Sequence, residues 1–335
     1  MTQNQPKIVV ESRPQRWLRF GIGAALAGLA AVIVWLAWPR NRPVEPAGSS
    51  QLDLVALKQV DPNRMMGREQ SPVPAQVEGP HALAVDSANR IYVGGDSAIA
   101  VLEPDGRLLR RLPVEQAVSC LAVGKGGDIV VGYRDRIVVL GADGIVKSGW
   151  APPGSNAVLT SVAVAGEDIF VADAGQRLVW RFGLDGRVQG RIGAKDPARD
   201  ISGFIVPSPY FDLAIGPDGA LWVVDPGRHQ LTRYSPEGDP ISSWQREGED
   251  IEGFSGCCNP SHIAIRADGS FVTSEKGLVR IKIYAATGAL VGVLAKPDHF
   301  AAETRGIDLA VDGNGRILAL DPDKAVILVF KTGGR

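Results

Sequence analysis

Seven residues combine side chains suited to chemistry with informative positions in the sequence: Cys257, Cys258, Asp212, His262, Asp308, Glu275 and Lys276. Cysteine thiols form disulfides and exchange them with other thiols. Carboxylate and imidazole groups are ligands for divalent cations such as Ca²⁺ and Zn²⁺, and Glu and Lys form ion pairs with each other or with charged partners. Which of these chemistries is available depends on the fold that positions the residues.

The adjacent residues Cys257 and Cys258 lie in the segment 253–260 (GFSGCCNP). In an oxidising compartment they can form a vicinal disulfide, although neighbouring Cα atoms are about 3.8 Å apart and bridged cysteines usually lie about 4.4–6.8 Å apart. Such a ring is strained and comparatively reducible. The alternative is two thiols, one buried and one half-exposed. The only other cysteine is Cys120, so the chain lacks the paired spacing of a structural zinc site.

The elements that position these residues follow from a repeated pattern. An alanine between two aliphatic residues recurs six times, at intervals of 38 to 51 residues: Ala84, Ala122, Ala163, Ala214, Ala264 and Ala310. A second apolar run follows each copy after a tight turn such as Asp218-Gly219, and a third run leads to a second Gly-containing turn. Five units then contain a fourth run. Four strands in each unit of about 45 residues predict an all-β, six-bladed β-propeller.

The two ends of the repeat region predict how the ring closes. The last unit stops at Arg335 without a fourth strand, and the segment 51–60 (QLDLVALKQV) belongs to no unit. We therefore expect a propeller over 51–335 in which 51–60 supplies the missing strand and removes an open sheet edge. The alternative for 51–60 is an extension of the preceding linker.

Two places before each fixed alanine lies one ring of positions at the mouth of the axial channel: Ala82, Cys120, Ser161, Asp212, His262 and Asp308. Because Asp212, His262 and Asp308 belong to the adjoining blades four to six, they are candidate ligands for calcium or zinc. The alternative is that they cap strand ends and bind channel water. Cys120 lies in blade two, across the channel from the blade-five cysteines, which disfavours a disulfide between them.

Glu275 and Lys276 follow the second strand of blade five. They are candidate ligand-binding residues at the same face; the alternative is that they form salt bridges between blades or belong to a polar rim.

Two units carry a family resemblance. The runs Leu83-Ala84-Val85-Asp86 with Ile91-Tyr92-Val93, and Ile169-Phe170-Val171-Ala172-Asp173 followed by Arg177, resemble NHL repeats over about residues 77–335. The resemblance implies a six-bladed propeller but no single activity, because NHL relatives include peptide-amidating lyases, kinase sensor domains and protein- or RNA-binding modules. The segment 253–260 with Ser274-Glu275-Lys276-Gly277 is similar to a bacterial, membrane-anchored NHL-type subgroup.

The first fifty residues predict a membrane anchor. Residues 20–38 are uncharged and would span roughly 28 Å as a helix. Basic residues dominate segment 1–19, which places the amino terminus in the cytoplasm and the propeller in the periplasm of a single-pass inner-membrane protein. The alternative is a cleaved signal peptide, but the apolar run is long and lacks a small-residue cleavage site. The Pro- and Ser-containing segment 39–50 is predicted to be a linker.

Composition and motifs limit the classes of function that this protein can have. The 36 basic and 37 acidic residues give a net charge of −1, which argues against nucleic acid as a partner. The sequence contains no Gly-x-Ser-x-Gly, His-Glu-x-x-His, P-loop or dinucleotide motif. We therefore expect a binding module for a periplasmic or membrane protein or a small ligand. The alternatives are a metal-dependent lyase or hydrolase using Asp212, His262 and Asp308, and a redox accessory using Cys257 and Cys258.

Overall fold

The computed structural model describes residues 57–199, 201–301 and 303–333. The predicted cytoplasmic segment 1–19, membrane span 20–38 and linker 39–50 lie outside these residues. Among the described residues, no helix has the length and apolar character needed to cross a bilayer.

The described residues form six antiparallel sheets. Strands β1 (Arg68–Glu69) and β2 (Val73–Pro74) precede the repeats. Blade one contains β3 (Ala82–Val85), β4 (Ile91–Gly94), β5 (Ala98–Leu102) and β6 (Leu108–Pro113), and blade two contains β7 (Cys120–Val123), β8 (Ile129–Gly132), β9 (Ile137–Leu140) and β10 (Val146–Trp150). Blade three contains β11 (Leu159–Ala165), β12 (Asp168–Asp173), β13 (Leu178–Gly183) and β14 (Val188–Ile192).

Blade four contains β15 (Leu213–Ile215), β16 (Leu221–Asp225), β17 (Gln230–Tyr234) and β18 (Pro240–Gln245). Blade five contains β19 (His262–Ile265), β20 (Phe271–Ser274), β21 (Ile281–Tyr284) and β22 (Leu290–Ala295), and blade six contains β23 (Asp308–Val311), β24 (Arg316–Asp321) and β25 (Val326–Lys331). Three 3₁₀ helices lie at Pro62–Arg64, Pro197–Arg199 and Pro297–His299. The predicted all-β, six-bladed propeller is confirmed.

The innermost strands close a ring. Each of β3, β7, β11, β15, β19 and β23 contacts the inner strand of the next blade, and β23 contacts β3. The apolar core is correspondingly divided into six clusters, each between two neighbouring blades. Val93 of blade one and Leu318 of blade six, for example, are both fully buried in one cluster. Each blade is therefore apolar on both faces, because each face packs against another sheet.

The fixed alanines line an axial cavity of about 260 Å³. All six of them border this space, together with the flanking residues of the inner strands. The inner strands converge here, so a larger side chain at these positions would fill the channel. This limited space accounts for the repeated alanine.

The sixth blade is completed from the amino-terminal side, but by a different segment from the predicted one. Strands β1 and β2 pair with β25, with Arg68 opposite Lys331 and Val73 opposite Ile327. Of the predicted strand 51–60, residues 51–56 lie outside the described residues and 57–60 belong to no strand. An outermost strand forms ladder bonds along one edge only, so the interrupted, Pro-containing segment 68–74 is compatible with this place.

Candidate functional site

A cavity of about 550 Å³ lies at the face where the chain enters the innermost strands. We call this cavity the mouth. It is lined by at least one residue from every blade, including His81, Ser119, Thr160, Tyr210, His262 and Asp308. Thr160 and Asp308 also line the axial cavity, so the mouth adjoins the channel. The structure thus places His262 and Asp308 at the face where the repeat positions predicted them.

Two aspartates of the channel ring bind backbone amides of the next blade. Asp212 Oδ2 of blade four accepts a 2.6 Å hydrogen bond from Ile263 N of blade five. Asp308 Oδ2 of blade six accepts a 2.7 Å bond from Leu83 N of blade one. An innermost strand has no neighbouring strand on its channel side, so its amides on that side require another acceptor. The aspartates therefore tie adjacent blades together.

Ser161 makes the equivalent contact with weaker geometry. Its Oγ lies 3.4 Å from Leu213 N of blade four. The donor again precedes a fixed alanine, as in the two aspartate contacts. Three of the contacts between neighbouring blades thus share one type of hydrogen bond, from a backbone amide to a side chain of the preceding blade. The repeat spacing alone did not reveal these bonds.

Burial changes the protonation of these residues. It raises the pKa of Asp212 to about 6 and that of Asp308 to about 8, with the charge of Asp212 adding to the second shift. Burial also lowers the pKa of His262 to about 4, which makes its imidazole neutral at pH 7. The low-dielectric surroundings disfavour the charged form of each group.

The predicted cation site is not formed. Within residues 57–199, 201–301 and 303–333, no three His, Cys, Asp or Glu side chains form a group that could hold a metal ion. The carboxylates of Asp212 and Asp308 are directed to backbone amides of different blades. The His262 ring instead packs edge-on against Tyr210, with ring centroids 5.9 Å apart. For the two aspartates, the strand-capping alternative describes the structure.

The blade-five cysteines lie beside Lys276. Cys257 is exposed and Cys258 is buried, with 2.9 Å between their sulfur atoms. Lys276 Nζ donates a 2.9 Å hydrogen bond to Cys258 Sγ. The same ammonium lies 5.4 Å from the centroid of the Tyr210 ring. Since Tyr210 lines the mouth and contacts His262, the cysteine pair and the mouth belong to one continuous group of side chains.

Asn259 fixes the cysteine loop against the turn that carries Lys276. Its Nδ2 donates to Ser255 O at 2.6 Å and to Lys276 O at 3.0 Å. Its Oδ1 accepts from Lys276 N at 2.8 Å. The side chain of Asn259 is buried, so these bonds form in a low-dielectric environment where they are strengthened.

Glu275 forms salt bridges, as one interpretation of the sequence predicted, but they lie within blade five and not between blades or on a polar rim. It is fully buried, and its carboxylate forms 2.6 Å ion pairs with the buried side chains of Arg280 and Lys282. Glu275 Oε2 also accepts hydrogen bonds from the backbone N–H and the hydroxyl of Ser255. Burial lowers the pKa of Lys282 to about 8. Glu275 therefore holds the loop of the two cysteines and does not line the mouth.

Arg280 and Lys282 were missed at the sequence level. They lie within the apolar run VRIKIY, where two basic residues among aliphatic ones could have indicated a buried acidic partner. Lys282 Nζ also donates to Gly253 O at 2.6 Å, and Arg280 donates to Ser255 Oγ at 3.0 Å. These contacts join blade five to the loop that precedes its own inner strand. Tyr210 was also missed, because nothing in its local sequence distinguishes it from a core aromatic residue.

Comparisons with known proteins show similarity in fold. No family model and no curated protein sequence matches the chain. A streptogramin B lyase structure is 13% identical, covers 82% of this chain and 100% of its own, and superposes with a TM-score of 0.56. Selenomethionine-substituted virginiamycin B lyase from Staphylococcus aureus is 15% identical, with coverages of 80% and 89% and a TM-score of 0.53.

A catalytically inactive virginiamycin B lyase from the same organism, with quinupristin, is also 15% identical, with coverages of 79% and 99% and a TM-score of 0.56. At these identities the likeness establishes a shared fold alone. The NHL-repeat assignment stays a prediction.

Proposed function

We propose that this protein is a membrane-tethered binding module whose mouth holds a segment of a periplasmic or membrane protein, or a small ligand. The observation that carries the proposal is the cavity of about 550 Å³ at the centre of one face, lined from all six blades. Concave sites of this size are where proteins usually bind small molecules or short segments.

The charges around the mouth favour a ligand of mixed polarity. The exposed side chains that line the mouth include the basic groups of Arg134 and Arg305 and the carboxylates of Glu303 and Asp323, together with His81. A polypeptide segment offers acidic, basic and backbone hydrogen-bonding groups together, and it therefore suits this rim better than a purely anionic ligand.

The sequence supports the remaining parts of the proposal. The apolar run 20–38 and the basic residues before it suit an inner-membrane anchor with a periplasmic propeller. The NHL-like repeats suit a family in which several members bind other proteins. We do not propose the metal-dependent alternative, because Asp212, His262 and Asp308 do not form a three-ligand group.

Site-specific photo-cross-linking in intact membranes tests the binding role. A benzophenone-bearing amino acid replaces Arg134 or Arg305 at the mouth, or Glu167 in the turn at the opposite end of blade three. We expect discrete cross-linked products from the two mouth positions and none from Glu167. Identical products from all three positions, or none from the mouth, would contradict the proposal.

A further inference from the structure

The two blade-five sulfur atoms differ in accessibility. Cys257 is exposed, whereas only 2% of the Cys258 surface is accessible. Their sulfur atoms are 2.9 Å apart. A thiol from another molecule can therefore reach Cys257 directly, and it can affect Cys258 only through Cys257.

The positively charged ammonium of Lys276 lies next to the buried sulfur of Cys258. Its Nζ lies 2.9 Å from Cys258 Sγ. Burial raises the pKa of Cys258, but hydrogen bonds from Cys257 and Lys276 outweigh this effect and leave the pKa below its ordinary value. The pKa of Cys257 is raised, first because its thiol is hydrogen-bonded to Cys258. Negative charge on the pair is therefore held by Cys258.

The ammonium is held in this position by its surroundings. Asn259 binds both the backbone N–H and the carbonyl of Lys276, and the Tyr210 ring faces the ammonium. Asn259 also binds Ser255, which precedes the cysteines in the same loop. The loop and the lysine are thus fixed relative to each other by bonds that do not use the lysine side chain.

We propose that Cys257 and Cys258 form a thiol-oxidising site, in which a partner thiol attacks Cys257 and Cys258 leaves as a thiolate stabilised by Lys276. This activity goes beyond the proposed binding role and does not depend on it.

The exchange balances as two displacements. In the oxidised form, a partner thiolate attacks Cys257 Sγ, the bond between the two cysteines breaks, and its electron pair remains on Cys258 Sγ. A second partner thiolate then attacks the partner sulfur of the mixed disulfide. Cys257 leaves and takes up a proton, so two partner thiols become one disulfide, the protein holds a thiol on Cys257 and a thiolate on Cys258, and the second proton is released to solvent. A disulfide of another molecule restores the oxidised form by the reverse exchange.

The surroundings of Cys257 and Cys258 favour reduction of their disulfide over its formation. A leaving thiol with a lower pKa departs faster, and stabilising the reduced form makes a disulfide more oxidising. A bridge between neighbouring residues is also strained, because their Cα atoms are closer than in ordinary disulfides. Both effects favour transfer of the disulfide to a partner.

Equilibration of the full-length protein with reduced and oxidised glutathione, followed by intact-mass spectrometry, tests the role of Lys276. We expect Lys276→Gln to shift the dithiol–disulfide equilibrium towards the disulfide by about tenfold or more, because the thiolate loses a charge-assisted hydrogen bond. The matched control is Lys324→Gln, which removes a lysine from the corresponding turn of blade six. Lys276→Arg keeps the charge and should stay closer to the wild-type protein than Lys276→Gln does.

Equal ratios for Lys276→Gln and Lys324→Gln would overturn the role of Lys276. A wild-type protein in which no disulfide joins Cys257 and Cys258 at any glutathione ratio would overturn the whole proposal.

Single-cysteine variants test which sulfur is attacked. With oxidised glutathione, Cys258→Ser should accumulate a stable mixed disulfide at Cys257, because no second sulfur can displace the glutathione. Cys257→Ser should react at least about tenfold more slowly, because Cys258 is buried. The opposite order would overturn the assignment of the two sulfur atoms.

Discussion

Asp308 links two blades by hydrogen bonds, although its burial disfavours the charged form of its side chain. It accepts hydrogen bonds from Leu83 N of blade one and Leu309 N of its own strand. The same burial that makes these bonds useful disfavours the carboxylate and raises the pKa of Asp308 to about 8. Stability should therefore depend on the proton that this side chain holds.

The sign of this pH dependence follows from the shift. Between about pH 4 and pH 8, the folded protein keeps a proton on Asp308 that the unfolded chain releases, so the free energy of unfolding decreases as the pH rises. His262 acts oppositely between its folded pKa of about 4 and its ordinary 6.5. The pKa of Asp212 is raised to about 6, so the contribution of Asp212 to the pH dependence lies largely below pH 6.5. Above pH 6.5 the slope therefore reports mainly on Asp308.

We expect Asp308→Asn, which mimics the protonated carboxyl group, to reduce the loss of unfolding free energy between pH 6.5 and 8 by about 1.5 kcal/mol. Urea unfolding at several pH values measures this. The control variant Asp185→Asn replaces an exposed turn carboxylate and should keep the wild-type slope. Parallel slopes for all three proteins would contradict the buried-carboxyl interpretation.

At the residue level, the sequence predicted positions better than contacts. Counting from the fixed alanines placed Asp212, His262 and Asp308 in one ring, because a repeat conserves its register. It did not predict that the aspartates bind amides of the following blade, since that depends on how the blades approach each other. The sequence indicated a ligand-binding or salt-bridging Glu275 but not its partners Arg280 and Lys282, because a turn separates these residues from it and their burial depends on the packing of the loop.

The closing strands are the element on which the ring depends. The segment before the repeats binds two blades: Met66 N donates to Val293 O of blade five at 2.9 Å, and Gln70 N donates to Val329 O of blade six at 2.8 Å. Ala75, which follows β2, is fully buried between blades six and one. The segment thus covers the open edge of β25 and contributes to the core.

We expect a chain starting at residue 57 to unfold cooperatively, and a chain starting at residue 76 to lose about 3–5 kcal/mol of unfolding free energy. The second truncation removes the hydrogen bonds and apolar contacts of β1, β2 and Ala75. Chemical denaturation followed by tryptophan fluorescence compares the two. Equal stability would show that β25 does not need the amino-terminal segment.

The blades themselves were predictable and the closing segment was not. Each blade repeats the same alanine and Gly-containing turns, so six copies reinforce one interpretation. The segment 68–74 occurs only once in the sequence and contains two prolines, Pro72 and Pro74. Its pairing partner β25 is far away along the chain. Its local sequence indicates a loop, whereas the alternating pattern of 51–60 resembles a strand. Tertiary pairing with β25 outweighs these local preferences.

The amino-terminal part of the chain has one observed and one predicted role. Segment 68–74 completes the propeller, and segment 20–38 is the predicted membrane anchor. Residues 68–74 do not line the mouth, so variants of the mouth leave the closing strands unchanged.

We expect the full-length protein to remain with membranes during alkaline carbonate extraction, because the apolar run 20–38 would span the bilayer core. A variant that lacks residues 1–50 should be recovered in the soluble fraction with an intact propeller. Immunoblotting of both fractions measures the outcome. Release of the full-length protein by carbonate would contradict the anchor.

Closure by strands from both ends also sets an order for biosynthesis. The ribosome makes β1 and β2 before any blade, yet their partner β25 is made after all the other strands of the six blades. The nascent chain must therefore keep its first strands unpaired while five blades are completed. A premature stop codon at any point before β25 would leave those strands without a partner, so every chain truncated there should lack the closed sixth blade.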